Sequence, residues 1–368
     1  MDVNLALTEM KRAKLRFGLL TAAVALLVFL IVFLSSLSGA LLRAFTGALE
    51  SLPADGLVYS ESARANVQAS RLDPAVADQV AAVQGVAAVG PLAVLSANAT
   101  VNGEPDELQL IGVTPGSPSE PEGIRDGRFP QSPTEVAVDA SEADVAIGDV
   151  IRVNGSQTDL VVTGTLVGTQ FGTDTAWMTT AGYAALLTEL NPGLSAVPIN
   201  AVAFTVDEGA DAAAVAAQVQ QAVDGTQALD RSTAIASIPG VESVSQTFGL
   251  LVGITFVIGV VVVGFFFLIL TVQKLRTFTL LRASGASTRS LAGTVTGQIA
   301  AVILIASAIA VVLAWGALQG LSTGLPVSID PMTIGGVVAA VLLASLGAGL
   351  LSVRRIAKLD PATAAGAR

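Results

Sequence analysis

Four stretches of this chain contain no Asp, Glu, Lys or Arg: Phe17–Leu42, Ser243–Gln273, Ser290–Ile329 and Pro331–Val353. The hydrocarbon core of a bilayer is about 30 Å thick, so a helix needs about 20 apolar residues to cross it. Four runs of that length predict a membrane α-helical protein with spans at 17–42, 247–272, 291–317 and 331–353. The third run is too long for one crossing. The segment "LQGLSTGLPVSID" (Leu318–Asp330) has the Gly, Ser and Pro of a turn that closes it, so an external loop is expected over 318–330. The basic lead "MKRAKLR" would also suit a secretory signal. The apolar run after it is too long for one and lacks a clear small-residue cleavage site, so it is expected to remain as an anchor.

Composition narrows the chemistry. Only 13% of the residues are charged, against about 25% in soluble domains. The 368 residues include no cysteine and no histidine. Disulfides, thiolate metal sites, Ser-His-Asp triads and histidine-ligated haem are therefore excluded. No Gly-x-x-x-x-Gly-Lys-[Ser/Thr] occurs, and none of Lys11, Lys14, Lys274 and Lys358 follows a glycine. A phosphate-cradling loop of that kind is absent. The chain is expected not to be an enzyme and to have no cofactor of its own.

The basic residues orient the spans. Lys11, Arg12, Lys14 and Arg16 precede the first. Lys274, Arg276, Arg282 and Arg289 lie between the second and third, and Arg354, Arg355, Lys358 and Arg368 follow the fourth. Four spans put these three segments on one side, so both termini are expected in the cytoplasm. Residues 43–246, rich in acids, then form one large extracytoplasmic domain. Its runs read as mixed α+β. Two strand-like segments flank Asn102-Gly103, further turns are expected at Gly148-Asp149 and Asn154-Gly155, and a helix capped within Asp207–Asp211 follows a strand. "VQGVAAV" (Val83–Val89) and "IPGVESV" (Ile238–Val244) echo one another, which suggests two similar βαβ-type halves or a chance likeness in an Ala/Val-rich chain. Residues 1–16 are expected to form a cytoplasmic interfacial helix and 354–368 a cytoplasmic tail.

The segment "QKLRTFTLLRASGASTRSL" (Gln273–Leu291) joins a basic patch to the apolar, small-residue surface of Leu280, Leu281, Ala283, Gly285 and Ala286. With "RRIAKLDPATAA" after the last span, and with Gly127-Arg128-Phe129, Glu135-Val136-Ala137-Val138, Gly148-Asp149 and Gly164 in the external domain, it resembles the MacB/FtsX/LolCE-type permeases of ABC transporters. The resemblance covers essentially the whole chain. It implies a homodimer bound to two copies of a separate ABC ATPase subunit, which binds the ATP. Residues 273–290 would be the coupling segment, with Lys274, Arg276, Leu280, Leu281, Arg282, Ala283, Gly285 and Ala286 as the docking surface. The other reading of this patch is a hairpin that is basic only to set topology. Membrane lipids are expected neighbours and nucleic acid is not an expected partner.

Within that family, four spans and one modest external domain look most like the haem-exporting permeases. Haem would then be the transported ligand. That likeness directs attention to "LLRAFTGALESLPADG" (Leu41–Gly56) at the outer end of the first span. Glu50 is the candidate ligand of the haem iron, Arg43 the partner of a propionate, and Phe45 and Phe248 would pack on the porphyrin. Glu242, Gln246 and Tyr59 are further candidates, while Tyr183 and Met178 are expected to pack in the external domain. The plainer alternative makes Arg43 and Glu50 ordinary residues that end a span. Other expected functions are export of a lipid, lipoprotein or peptide, and an FtsX-like scaffold that regulates an external cell-wall hydrolase.

Overall fold

The computed structural model describes residues 14–139, 145–194, 196–273, 288–320 and 331–357. It divides into two units. Ala40–Ser245 form one, and the described residues up to Gly39 and from Gln246 onward form the other.

The first unit begins with the end of α1 (Lys14–Glu50), then β1 (Gly56–Ser60), α2 (Val76–Ala81), β2 (Val86–Val101) and β3 (Glu104–Val113). It continues with β4 (Ile124–Gly127), β5 (Glu135–Asp139), β6 (Val150–Val153), β7 (Asp159–Leu166), β8 (Asp174–Thr179) and α3 (Thr180–Leu190). Last come β9 (Ala201–Val206), α4 (Ala212–Ala222), β10 (Thr226–Asp230) and α5 (Arg231–Ala236). The strands form one sheet in the order β10-β1-β9-β2-β3-β8-β5-β7-β4, with β6 paired to β2 and β7.

The order β10-β1-β9-β2, antiparallel at every step, interleaves two units, β1-α2-β2 and β9-α4-β10. This is the ferredoxin-like split βαβ arrangement. Everything from β3 to α3 is inserted between its halves, and β2 carries the connection. Its residues Val86–Leu92 pair with β9, and Leu92–Val101 pair with β3. The β2–β3 hairpin turns at Asn102 (φ 49°) and Gly103 (φ 92°), two positive dihedrals of the kind that a tight two-residue hairpin requires. The expected turn is present. So is the expected helix start, where the Asp211 carboxylate accepts a hydrogen bond from Ala213 N at 3.2 Å.

The two halves exist, but the echo expected at Ile238–Val244 is misplaced. Gly85 and Gly240 both have φ 91°, but Gly85 leads into β2, whereas Gly240 leads into a helix. The counterpart of Val83–Val89 is the segment after α4, where Gly225 (φ 71°) precedes β10.

Apolar side chains lie on both faces of the sheet. Val58, Val202, Phe204 and Ala228 meet α2 and α4 through Val80, Val215 and Val219. Leu57, Tyr59, Ala201 and Ala203 form a second cluster with Ala48 and Leu49 from the end of α1 and Leu52 just after it. In the inserted part, Leu108, Leu110, Val136, Val162 and Met178 pack with Tyr183 and Leu186 of α3. Tyr183 and Met178 are thus core residues, as expected. β3 is buried on both sides from Leu108 to Val113, where Gln109 is the one polar residue in an otherwise apolar run.

The order Gly127-Arg128-Phe129…Glu135-Val136-Ala137-Val138 is a structural device. Arg128 grips Glu135 through two hydrogen bonds, Nη1 to Oε2 at 2.8 Å and Nη2 to Oε1 at 2.6 Å. Gln131 N and Ser132 N also donate to Glu135 Oε2, at 2.9 and 3.2 Å. Phe129 is buried in the core beside them, and Gly164 leaves no room for a Cβ against the Arg128 carbonyl.

The second unit comprises the first part of α1 with α6 (Val241–Gln273, from Gln246), α7 (Thr288–Gln319) and α8 (Pro331–Ala357). Phe17, Leu20, Val24, Val28 and Ile31 recur every three or four residues and form one seam of α1. They share a cluster with Ile299, Ile303, Ala306, Ala310 and Ala314 of α7, where the alanines let the backbones approach closely. Arg16 Nη1 donates to Gln273 Oε1 at 2.7 Å, linking the start of α1 to the end of α6. Among the described residues, three helices are long and apolar enough to cross a membrane: α1, α6 and α7. The expected fourth span falls on α8, whose apolar stretch among the described residues is Ile334–Gly347.

The Arg128 guanidinium, then the two backbone amides, hold the Glu135 carboxyl at about 2. A carboxyl depressed in the folded state stabilises fully above its ordinary value near 4.5 and loses that contribution as pH falls toward 2. Thermal unfolding of full-length Glu135→Gln in detergent should show a lower midpoint than wild type at neutral pH. The gap should shrink through this window, and a gap independent of pH would contradict the assigned role.

Candidate functional site

The last turns of α1 are built into the external unit. Ala48 N donates to Gln170 O at 2.9 Å, and Gly172 N donates to Ala44 O at 2.7 Å. In an uninterrupted helix the amide of residue 48 would be paired with the carbonyl of residue 44. Here the 168–172 loop offers each of them a partner, so it docks into the hydrogen-bond ladder of α1. Gly47 makes this approach possible, since a Cβ there would lie 2.6 Å from Gly168 O. The loop is itself fixed from within. Thr169 Oγ1 donates to the buried Asp139 Oδ2 at 2.9 Å, and Phe171 N donates to Thr175 Oγ1 at 2.8 Å. At the tip of α1, the Arg231 guanidinium donates to the Glu50 carbonyl.

The candidate ligand residues do not converge on one face of this helix. Arg43 and Glu50 are seven residues apart and share a face, whereas Phe45 lies about 200° around from Arg43 at 100° per residue. Glu50 is exposed, and its Oε1 lies 2.7 Å from the Thr46 hydroxyl. That hydroxyl is also 2.9 Å from the Leu42 carbonyl, so it donates to one of the two at a time. Arg43 is half-buried and forms no ion pair among the described residues. Phe45 instead lines a cavity of about 150 Å³ with Val67, Phe171, Ile238 and Pro239.

Tyr59 sits in the interior of the unit, fully buried on β1. Burial pushes its phenol well above the ordinary tyrosine range. A core position of this kind keeps it from the surface where a flat ligand would dock. Glu242 is exposed in the first turn of α6. Gln246 and Phe248 follow it on α6 but belong to the helical unit. Lys274, Arg276, Leu280, Leu281, Arg282, Ala283, Gly285 and Ala286 lie outside the described residues, as does most of the expected interfacial helix. Among the described residues, no group of three or more Asp and Glu could hold a metal ion.

Gly47, Gln170, Gly172 and Arg231 were not singled out by the sequence. A lone glycine near the end of an otherwise apolar helix was the one signal available for them, because it marks a close backbone approach. Gly47→Val should push the 168–172 loop off α1 and destabilise the full-length protein by about 1–3 kcal/mol, as overpacking does. The check is its thermal or chemical unfolding midpoint beside Gly249→Val, whose Cβ meets nothing within 4 Å.

The MacB-like periplasmic core domain family matches residues 17–222, and the FtsX-like permease C-terminal family matches residues 249–361. Over 99% of both chains, this chain is 20% identical to the "Putative hemin transport system permease protein HrtB" of Staphylococcus epidermidis. It is 25% identical to an uncharacterised ABC transporter permease of Mycobacterium tuberculosis, over 78% of this chain and 77% of that one. The periplasmic region of MacB from Actinobacillus actinomycetemcomitans aligns with 50% of this chain and 92% of its own at 10% identity, with a TM-score of 0.38. A MacB-like domain over more than half the length, followed by an FtsX-like one, makes this chain a member of the MacB/FtsX family of ABC transporter permeases.

Proposed function

We propose that the chain is the permease of an efflux pump that removes an amphipathic molecule, with haem the leading candidate, from the outer leaflet. The observation that carries this reading is the end-to-end match, over 99% of both chains, to a protein named for hemin transport. The permease works as a homodimer with four spans per chain and both termini in the cytoplasm. Energy comes from two copies of a separate ATPase subunit, since the sequence holds no phosphate-binding Gly-Lys-[Ser/Thr] loop. The coupling segment 273–290 docks that subunit through Leu280, Leu281 and the basic residues around them.

The physical form of α1 and α6 supports a mechanical role. Each is one continuous helix with residues in both units, α1 from Lys14 to Glu50 and α6 from Val241 to Gln273. Movement begun at the cytoplasmic end would reach the external unit along these two helices. In this reading Glu50 is the haem-facing carboxylate and Arg43, two turns below it, meets a propionate. Phe45, on the other side of the helix, serves the domain interior instead.

The test is a haemin titration of the full-length protein in detergent, followed by absorbance. Saturable Soret changes are expected in wild type, weakened about tenfold or more in Glu50→Ala and retained in Tyr59→Phe. Absence of saturable binding in wild type would remove haem. In that case ATPase activity of the assembled complex, stimulated by an external protein instead of a small amphiphile, would favour the scaffold function. Leu280→Asp with Leu281→Asp should abolish co-purification of the ATPase while leaving haemin binding intact.

A further inference from the structure

We propose that a groove between α1 and α7 binds one anionic phospholipid, with an acyl chain along the groove and the headgroup phosphate on Lys14. The groove has a volume of about 610 Å³, within the usual ~300–1,000 Å³ of ligand sites. Its floor on α1 is made of small residues, Gly18, Ala22 and Ala25. Its wall on α7 is the ridge Ile305, Ile309 and Leu313, spaced four apart, and these remain 46%, 43% and 49% exposed.

Length and charge together select the occupant. From Lys14 to Leu26 the groove follows α1 for about 18 Å at 1.5 Å per residue, close to the ~15 Å depth of one leaflet's hydrocarbon. Lys14 is the one charged residue lining it. Its ammonium forms no ion pair among the described residues, whereas the neighbouring Arg16 is committed to Gln273. A second copy of this chain would offer the groove an apolar span, and none of the four apolar runs contains a carboxylate to meet Lys14. A phospholipid brings both required parts, an apolar chain a leaflet deep and an anion at its head. The assignment of the lipid to the cytoplasmic leaflet rests on the orientation proposed above. The headgroup preference does not, and neither depends on haem.

Brominated lipids, which quench tryptophan on contact, provide the test. The chain contains Trp177 and Trp315. Trp177 is fully buried in the external unit, and Trp315 is exposed on α7 outside the groove lining. A groove reporter is made by Leu26→Trp in a Trp315→Phe background, and native Trp315 reports general lipid contact. The full-length proteins are reconstituted in phosphatidylcholine vesicles, to which brominated phosphatidylglycerol or brominated phosphatidylcholine is added. The groove reporter should prefer phosphatidylglycerol about fivefold, which corresponds to the ~1 kcal/mol of one lysine near an anionic surface. Lys14→Gln should erase that preference, and Trp315 should show none. Equal quenching by the two lipids at the groove reporter would overturn the proposal. So would a preference that survives Lys14→Gln, or a reporter shielded from both lipids by a second copy or another segment. As a measurement independent of the reporter, native mass spectrometry should find phosphatidylglycerol retained by wild type and lost from Lys14→Gln. Equal retention would count against the site.

Discussion

The amide of Ala48 donates across to Gln170, and the carbonyl of Ala44 accepts from Gly172. On these two hydrogen bonds and the missing side chain of Gly47 depends whether the end of α1 is part of the external domain or merely precedes it. Buried backbone groups must be paired, so a loop that takes over positions in a helix ladder cannot leave without exposing four polar atoms. Ala48, Leu49 and Leu52 add apolar burial in the same core as Leu57, Tyr59 and Ile238. The tip is closed by Arg231 on the Glu50 carbonyl. The end of this membrane-type helix is thus a core element of the external domain.

The same view sorts the sequence motifs by what they do. Gly127-Arg128-Phe129 and Glu135 build a clamp between β4 and β5. The carboxylate of Asp149 accepts from Ala146 N and Asn102 Nδ2, both at 2.8 Å, and so fixes the turn before β6. These residues contribute scaffold rather than a binding surface.

Much of the architecture was legible in the sequence because it rests on local chemistry. Charge-free runs mark the apolar helices, Asn102-Gly103 marks a hairpin, and Asp211 marks a helix start. The interleaving of β1-α2-β2 with β9-α4-β10 was less visible, because the 99 residues between β2 and β9 hide their relation and strand order is a long-range property. The echo at Ile238–Val244 misled for a related reason. A glycine after a short helix reads the same whether a strand or another helix follows. The candidate site was legible only in part. Seven-residue spacing correctly put Arg43 and Glu50 on one face, but the burial of Tyr59 and the turning away of Phe45 depend on packing against β1, the 168–172 loop and Pro239, which no local pattern encodes.

Amide hydrogen exchange of the full-length protein tests the central claim most directly, that the end of α1 is one piece with the external domain. Peptides covering 42–52 should exchange as slowly as those covering β1 and β9, and Gly47→Val should accelerate exchange at 42–52 and at 168–172 together. Rapid exchange at 42–52 while β1 and β9 stay protected would show a frayed helix end, and would contradict the account.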